Sequence, residues 1–404
     1  MGWKALRLSN GIVELFIVPE LGGRIIQLRF GPHDFFYVNP HHRGIVYGPK
    51  ENDFTSGWKN YGGSKVWPAP QGWENDEQWP GPPDPILDGG SYTWRAVDEN
   101  PKTAAVYLQS LPDEYTGLTF AREIRLFQNQ STVQILHKMR NTSARPVRWA
   151  IWQVTQLAAA SALVVYAPAQ RYRQMFGDKI FHQVKHDHKL GLWSLEYANQ
   201  VAKFAVEAEH GWLVALRPEE RVALVEEFCL FPDRPYPDGA QLEFWVNGAG
   251  TFTIHGDRYN TKDDPNGCDP YLETEILSPL VDLDPGQEYS FPVTWHCTAV
   301  PRQEVTNVSS CALILEPLTI NPGDGQHRVT GEFGLFQAGS VELVIVHRSG
   351  KPLETILLGN YTPLEPCRVV QMVKHQNGLG RVSLRLRNPE GILMGTIDES
   401  FLPL

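Results

Sequence analysis

Alternation of apolar and polar residues with a period of two recurs along this chain, and it dictates sheet. Val13, Leu15 and Ile17 alternate with Glu14 and Phe16, and Ile26, Leu28 and Phe30 with Gln27 and Arg29. The pattern returns at Ile124 and Leu126, at Val133 and Ile135, at Leu242, Phe244 and Val246, and at Phe291, Val293 and Trp295. Successive side chains of a strand point to opposite faces, so such spacing turns one face to a core. No segment carries the spacing of a convincing amphipathic helix. With 35 glycines and 31 prolines, many strands joined by turns are expected. Residues 1–300 read as one large antiparallel all-β domain with long loops.

The polar run PRQEVTNVSS at 301–310 reads as a linker. Beyond it, short apolar runs recur about every ten residues, and Arg381, Ser383, Arg385 and Arg387 alternate with Val382, Leu384 and Leu386. Seven such strands suit a small immunoglobulin-like β-sandwich over 311–404, without the cysteine pair or buried tryptophan of a true immunoglobulin domain.

Five of the twelve tryptophans, Trp58, Trp67, Trp73, Trp79 and Trp94, fall in one stretch interleaved with prolines and glycines. Proline lacks the backbone donor and glycine weakens regular structure, so this is irregular chain carrying large aromatic plates. Indoles stack on the C–H faces of sugars. Two readings follow: a ligand cleft walled by Trp58, Trp67, Trp73 and Trp79, or a loop packed over a sheet end with its tryptophans in the core.

The net charge of −10 argues against a nucleic-acid or anionic-membrane partner, either of which needs a basic surface. Five widely spaced cysteines with no CxxC point to a reducing compartment. No secretory signal opens the sequence and no long apolar run spans a bilayer, so a cytoplasmic protein is expected. Oligomeric state is left open.

Tyr271-Leu-Glu-Thr-Glu275 is the sharpest chemical candidate. On a strand, Tyr271, Glu273 and Glu275 share one face, and the repulsion of two neighbouring carboxylates should raise one pKa into a range useful for acid–base work. Lys65 follows Gly62-Gly63-Ser64, where glycines permit close backbone approach. Arg24, after Gly22-Gly23, is charged on an otherwise buried-looking strand and is a candidate for the same cleft. His255, Asp257 and Arg258 form a compact polar cluster after a strand. The histidines of HQVKHDH, His182, His186 and His188, lie among lysines that oppose a cation, and the loop at 260–269 lacks the regular ligand spacing of a calcium loop. No metal and no cofactor is expected. No nucleophile elbow or dinucleotide fingerprint is present.

Several segments together resemble the galactose mutarotase-like superfamily, which includes the aldose 1-epimerases. Pro19-Glu-Leu-Gly-Gly-Arg-Ile-Ile26 is similar to its opening strand pair and Asn60-Tyr-Gly-Gly63 to its glycine loop. Asn141-Thr-Ser-Ala-Arg-Pro146 resembles its central turn, and Leu272-Glu-Thr-Glu275 followed by Leu283-Asp-Pro-Gly-Gln-Glu-Tyr289 its closing pattern. WPAPQ and Tyr236-Pro-Asp-Gly239 look closer to an uncharacterised branch of the superfamily. The resemblance covers roughly residues 5–298 and implies a large β-supersandwich. It also implies a glutamate base on an anomeric hydroxyl and a histidine acid on the ring oxygen. The glutamate falls on Glu273, or on Glu275 after a shift of two. The histidines are absent: Tyr61 stands in the glycine loop, and Trp152 or Gln153 on the strand. Tryptophan does not titrate and tyrosine titrates far above neutrality. Lys65, Tyr61 or a histidine of 182–188 is left to supply the acid.

The expected function is epimerase-like proton transfer on a free sugar or short glycan, with a small-molecule carbohydrate as partner. Glu273 is the expected base, Glu275 tunes it, and Lys65 and Arg24 hold polar groups. The alternative is a non-catalytic carbohydrate-binding or sensor protein on the same fold. A weaker third reading, a lyase or hydrolase, asks two carboxylates of one strand to flank a glycosidic bond.

Overall fold

A computed structural model describes residues 2–53, 56–72, 74–75, 77–100, 102–159, 162–254, 256–264 and 269–402, with the side chains of residues 98 and 99 outside the description. Among these residues the regular structure is strand, broken only by single 3-10 turns at Pro49–Glu51, Pro237–Gly239 and Thr261–Asp263. The all-β expectation holds, as a large antiparallel β-supersandwich followed by two four-stranded sheets.

Two layers make up the large unit. In one, Ser64–Ala69 pairs with Val147–Ala158, which pairs with Tyr271–Leu277, then Leu242–Asn247, then Ala202–Ala208. The other runs Thr93–Asn100, Thr103–Gln109, Leu118–Phe127, Thr132–Asn141, Glu288–Ala299, Val222–Phe228 and Trp212–Arg217. The strand Val164–Phe176 serves both layers. Its first residues pair with Trp212–Arg217 and its later ones with Ala202–Ala208, after a register shift near Ala169. An extra residue in one strand bends it, which lets a single chain turn the corner.

Register fixes what each face of the first layer carries. Trp152 is opposite Trp67, Gln156 opposite Glu273, and Glu275 opposite Glu243, so all of these share the outward face. The intervening Gln153, Thr155, Thr274 and Phe244 point between the layers, into a core with Trp295, Phe120 and Ile135. One polar network is buried there. Glu226 accepts hydrogen bonds from Thr274 (2.6 Å), Trp295 Nε1 (2.8 Å) and Gln153 Nε2 (3.0 Å), while Gln153 Oε1 meets His137 Nε2 at 2.7 Å. Full burial outweighs those bonds and pushes Glu226 up to about 7, and it holds His137 down to about 3.

The chain after residue 300 forms sheets from Asn307–Ser309, Ala312–Pro322, Gln326–Leu335 and Cys367–Lys374, and from Gly339–His347, Pro352–Tyr361, Leu379–Arg387 and Leu393–Phe401. Val329, Phe333, Leu343, Val382 and Leu384 fill the space between them. Leu313, Leu315 and Phe336 pack instead on Val214, Leu216 and Val225 of the large unit.

Candidate functional site

The outward face of the first layer concentrates charge where strands normally present apolar or solvated residues. Two lysines approach the carboxylates of Tyr271–Leu277 from opposite flanks. From the Ser64–Ala69 side, Lys65 Nζ lies 3.2 Å from Glu273 Oε1, which also accepts a 2.7 Å bond from Gln156 Nε2. From the Ala202–Ala208 side, Lys203 Nζ lies 3.0 Å from Glu275 Oε2 and 2.7 Å from Glu243 Oε2. Between the lysines stand two indoles. Lys65 sits 4.7 Å from the Trp67 ring centroid and Lys203 4.9 Å from that of Trp152, and the two rings meet edge to face at 5.4 Å.

Burial separates the two carboxylates chemically. Glu273 keeps 9% of its surface exposed and Glu275 none. Desolvation raises Glu275 to about 8, against the pull of Lys203 and with smaller pushes from Glu243 and Glu273. The rise expected from carboxylate repulsion therefore falls on Glu275, and its main cause is burial rather than its neighbour. Desolvation also lowers Lys65 to about 8, against the attraction of Glu273. A lysine there can give up and regain a proton near neutrality, which an exposed lysine cannot. Lys203, held by two carboxylates, is raised well above the usual lysine range, and Glu243 is raised by burial.

Asp88 organises the aromatic side of this face. Its Oδ1 takes a 2.7 Å ion pair from Arg24 and a 3.2 Å bond from Trp67 Nε1, and its Oδ2 takes Trp58 Nε1 at 3.0 Å. Arg24 is completely buried and also donates to Gly62 O at 2.9 Å. The glycine loop explains the close approach of these strands. Gly62 has φ 94°, and a Cβ there would sit 2.1 Å from Tyr37 O; at Gly63, with φ 70°, one would sit 2.4 Å from Ile25 O. Only glycine fits both constraints.

The structure thus brings Glu273, Glu275, Lys65, Trp67 and Trp152 onto one face, with Trp58 half-buried above Lys65 at 5.6 Å. Arg24 supports the face from behind rather than lining it. Tyr61 is fully buried against Val18, Leu21 and Ile26, so it is not placed to supply an acid. Trp79 is likewise buried, its Nε1 on Asp84 Oδ2 at 2.9 Å and its ring against Trp67; it is core and not cleft wall. Arg258 is exposed on the strand Asp257–Asn260 and pairs with Asp178 at 3.1 Å, outside the cluster. Trp73 and His255 lie outside the described residues. His186 and His188 pack on each other at 4.4 Å beside Tyr172, not beside Glu273. Lys203, Glu243, Gln156 and Asp88 were missed by sequence reasoning. The available signal was a charged residue on the apolar strands AKFAVEA and LEFWVN.

The fold and this face define a β-supersandwich protein with a buried lysine–carboxylate cluster on one sheet. The chain belongs to the family described as a domain of unknown function, DUF4380, matched over residues 4–298. No curated protein matches it. Among solved structures it is similar to a TPR-domain containing protein from Parabacteroides distasonis, at 13% identity and a TM-score of 0.51, over 76% of this chain and 49% of that one. The chain therefore spans about half the length of that protein. It is also similar to a galactose mutarotase-like protein from Lactobacillus casei, at 9% identity and a TM-score of 0.46, over 73% of this chain and 100% of that one. A GalM/aldose epimerase homologue from C. elegans matches at 12% identity and a TM-score of 0.43, over 73% of this chain and 99% of that one.

Proposed function

We propose that the protein acts on a carbohydrate by proton transfer at the anomeric centre of a free sugar, with Glu273 as base and Lys65 as acid. The observation that carries this reading is the Lys65–Glu273 pair, 3.2 Å apart beside Trp58 and Trp67, with Lys65 lowered to about 8. The anomeric hydroxyl oxygen and the ring oxygen share one carbon, so an acid and a base serving them must stand side by side. Glu273 takes the hydroxyl proton as the bond between the anomeric carbon and the ring oxygen breaks, and Lys65 delivers a proton to that oxygen. The open-chain aldehyde turns about its first carbon–carbon bond. Reclosure returns both protons and gives the other anomer, with no cofactor in the balance.

A second reading, a binding protein without turnover, is favoured by one observation. Glu273 is already held by both Lys65 and Gln156, which opposes its service as a base. Anomer exchange by NMR on pooled monosaccharides, with Glu273→Gln beside the native protein, separates the two. Catalysis predicts exchange that disappears in the variant while binding persists. Equal exchange in both proteins would overturn the role of Glu273. Binding without exchange in the native protein would establish the second reading.

A further inference from the structure

The Lys65–Glu273 pair is closed on most sides. Gln156, Trp67 and Trp152 are buried around it, and Tyr37 and Tyr271, their rings stacked at 4.9 Å, close the end of the strand that carries Glu273. Two half-buried indoles remain at the mouth. One is Trp58, above Lys65. The other is Trp245, directly opposite Glu273 on the neighbouring strand and therefore on the same outward face. Cross-strand partners of this kind stand about 5 Å apart at Cβ. Every other residue of the strand Leu242–Asn247 is buried.

From Trp245 the aromatic surface runs outward. Phe252 meets Trp245 edge to face at 5.3 Å, and Tyr259 stacks on Phe252 at 5.6 Å with the rings 19° from parallel. Both lie on the paired strands Thr251–Ile254 and Asp257–Asn260, which make no ladder with either layer among the described residues. So small a sheet is marginal alone and needs an anchor. Phe252 on Trp245 supplies one, and Asp178 another, through Thr251 Oγ1 at 2.6 Å and Arg258 at 3.1 Å. Tyr259 adds little to that anchorage. It meets Phe252 with one face and stays 48% exposed, so its other face is turned to water. Asp257, exposed on the same face of the hairpin, sets an acceptor beside it. An aromatic plate with a polar neighbour suits a sugar ring, which lays C–H bonds over the plate and turns hydroxyls to the rim.

We propose that Trp245 and Tyr259 extend the site into a platform for a glycan held by its reducing end, whose terminal ring enters between Trp58 and Trp245 to reach Lys65 and Glu273 while the rings behind it rest toward Tyr259. This rests on the carbohydrate reading above and narrows its substrate class from any free sugar to a reducing oligosaccharide. Only a terminal ring can enter, because the buried side chains around the pair leave no passage for a chain to run through. A monosaccharide would meet the same acid and base but leave Tyr259 uncovered.

The test is calorimetric titration of the full-length protein with two series, glucose with maltose, maltotriose and cellobiose, and galactose with galactobiose. In the series that binds, an oligomer should bind about tenfold tighter than its monomer, as one added aromatic contact implies. Tyr259→Ala should return the oligomer to the affinity of the monomer and leave the monomer unchanged; Tyr259 is exposed, so the substitution spares the fold. Trp245→Leu should weaken both. Equal affinity for monomer and oligomers in the native protein overturns the platform and leaves the carbohydrate reading standing. An oligomer advantage that survives Tyr259→Ala confines Tyr259 to the hairpin and overturns the platform too. Binding of no sugar in either series overturns the carbohydrate reading and the platform with it.

Discussion

Replacing Asp88 by asparagine tests whether the aromatic wall of the site is held by charge or merely by packing. Asp88 and Arg24 form a 2.7 Å pair whose side chains are 3% and 0% exposed. The Arg29–Asp34 pair, on the same strand as Arg24, has the same 2.7 Å length, with side chains 36% and 45% exposed. Length being equal, burial decides the outcome. Asp88→Asn leaves Arg24 without a counter-charge in a site water does not reach, and a buried pair broken on one side costs about 3–5 kcal/mol. The new amide also turns a donor toward Arg24 or an indole N–H, which adds to the loss. Asp34→Asn should cost less than about 1 kcal/mol, because water replaces the missing charge. Urea unfolding of both variants, followed by tryptophan fluorescence, measures the difference, and Trp58 and Trp67 report it directly because both bond to Asp88. Costs for the two variants within about 1 kcal/mol of each other would refute the argument that burial sets the worth of the pair.

Gly62→Ala should destabilise the protein by more than about 2 kcal/mol, because the new methyl meets Tyr37 O at 2.1 Å in a left-handed backbone; unchanged urea midpoints would contradict this. Glu226 gives a pH signature. Burial favours its neutral form in the folded state, so the unfolded chain loses its proton first and stability falls as pH rises from about 4.5 to about 7. Glu226→Gln should lose up to about 3 kcal/mol less over that window, and parallel profiles of variant and native protein would refute it. If Lys65 is the acid, turnover of a free sugar should decline above about pH 8 as the Lys65 ammonium deprotonates, and Lys65→Met should remove turnover without removing binding. A rate that holds level well past that pH would rule Lys65 out.

What was legible in the sequence was local. Alternation placed Tyr271, Glu273 and Glu275 on one face and Thr274 on the other, and the structure has them so, with Thr274 on Glu226 in the core. Gly62-Gly63 announced a close approach, and the positive φ angles and blocked Cβ positions there are its physical content. Partners distant in the chain were not legible. Lys203 meets Glu275 across 72 residues and Asp88 meets Arg24 across 64, and pairing register between far strands leaves no mark in either segment alone. Trp79 shows the same limit differently. In the tryptophan-rich stretch it is indistinguishable from Trp67, yet Asp84 ties it down into the core, while Trp67, expected in irregular chain, stands on the paired strand Ser64–Ala69 beside Lys65.

The strand that serves both layers carries a mechanical consequence. A sandwich of two separate sheets can part along the seam between them, each sheet keeping its own hydrogen bonds. Here Val164–Phe176 is stitched to Trp212–Arg217 at one end and to Ala202–Ala208 at the other, so parting the layers means tearing a backbone ladder as well as a core. The layer that bears Lys203 is thereby anchored to the one beneath it, and opening of the two should be a single cooperative event rather than two.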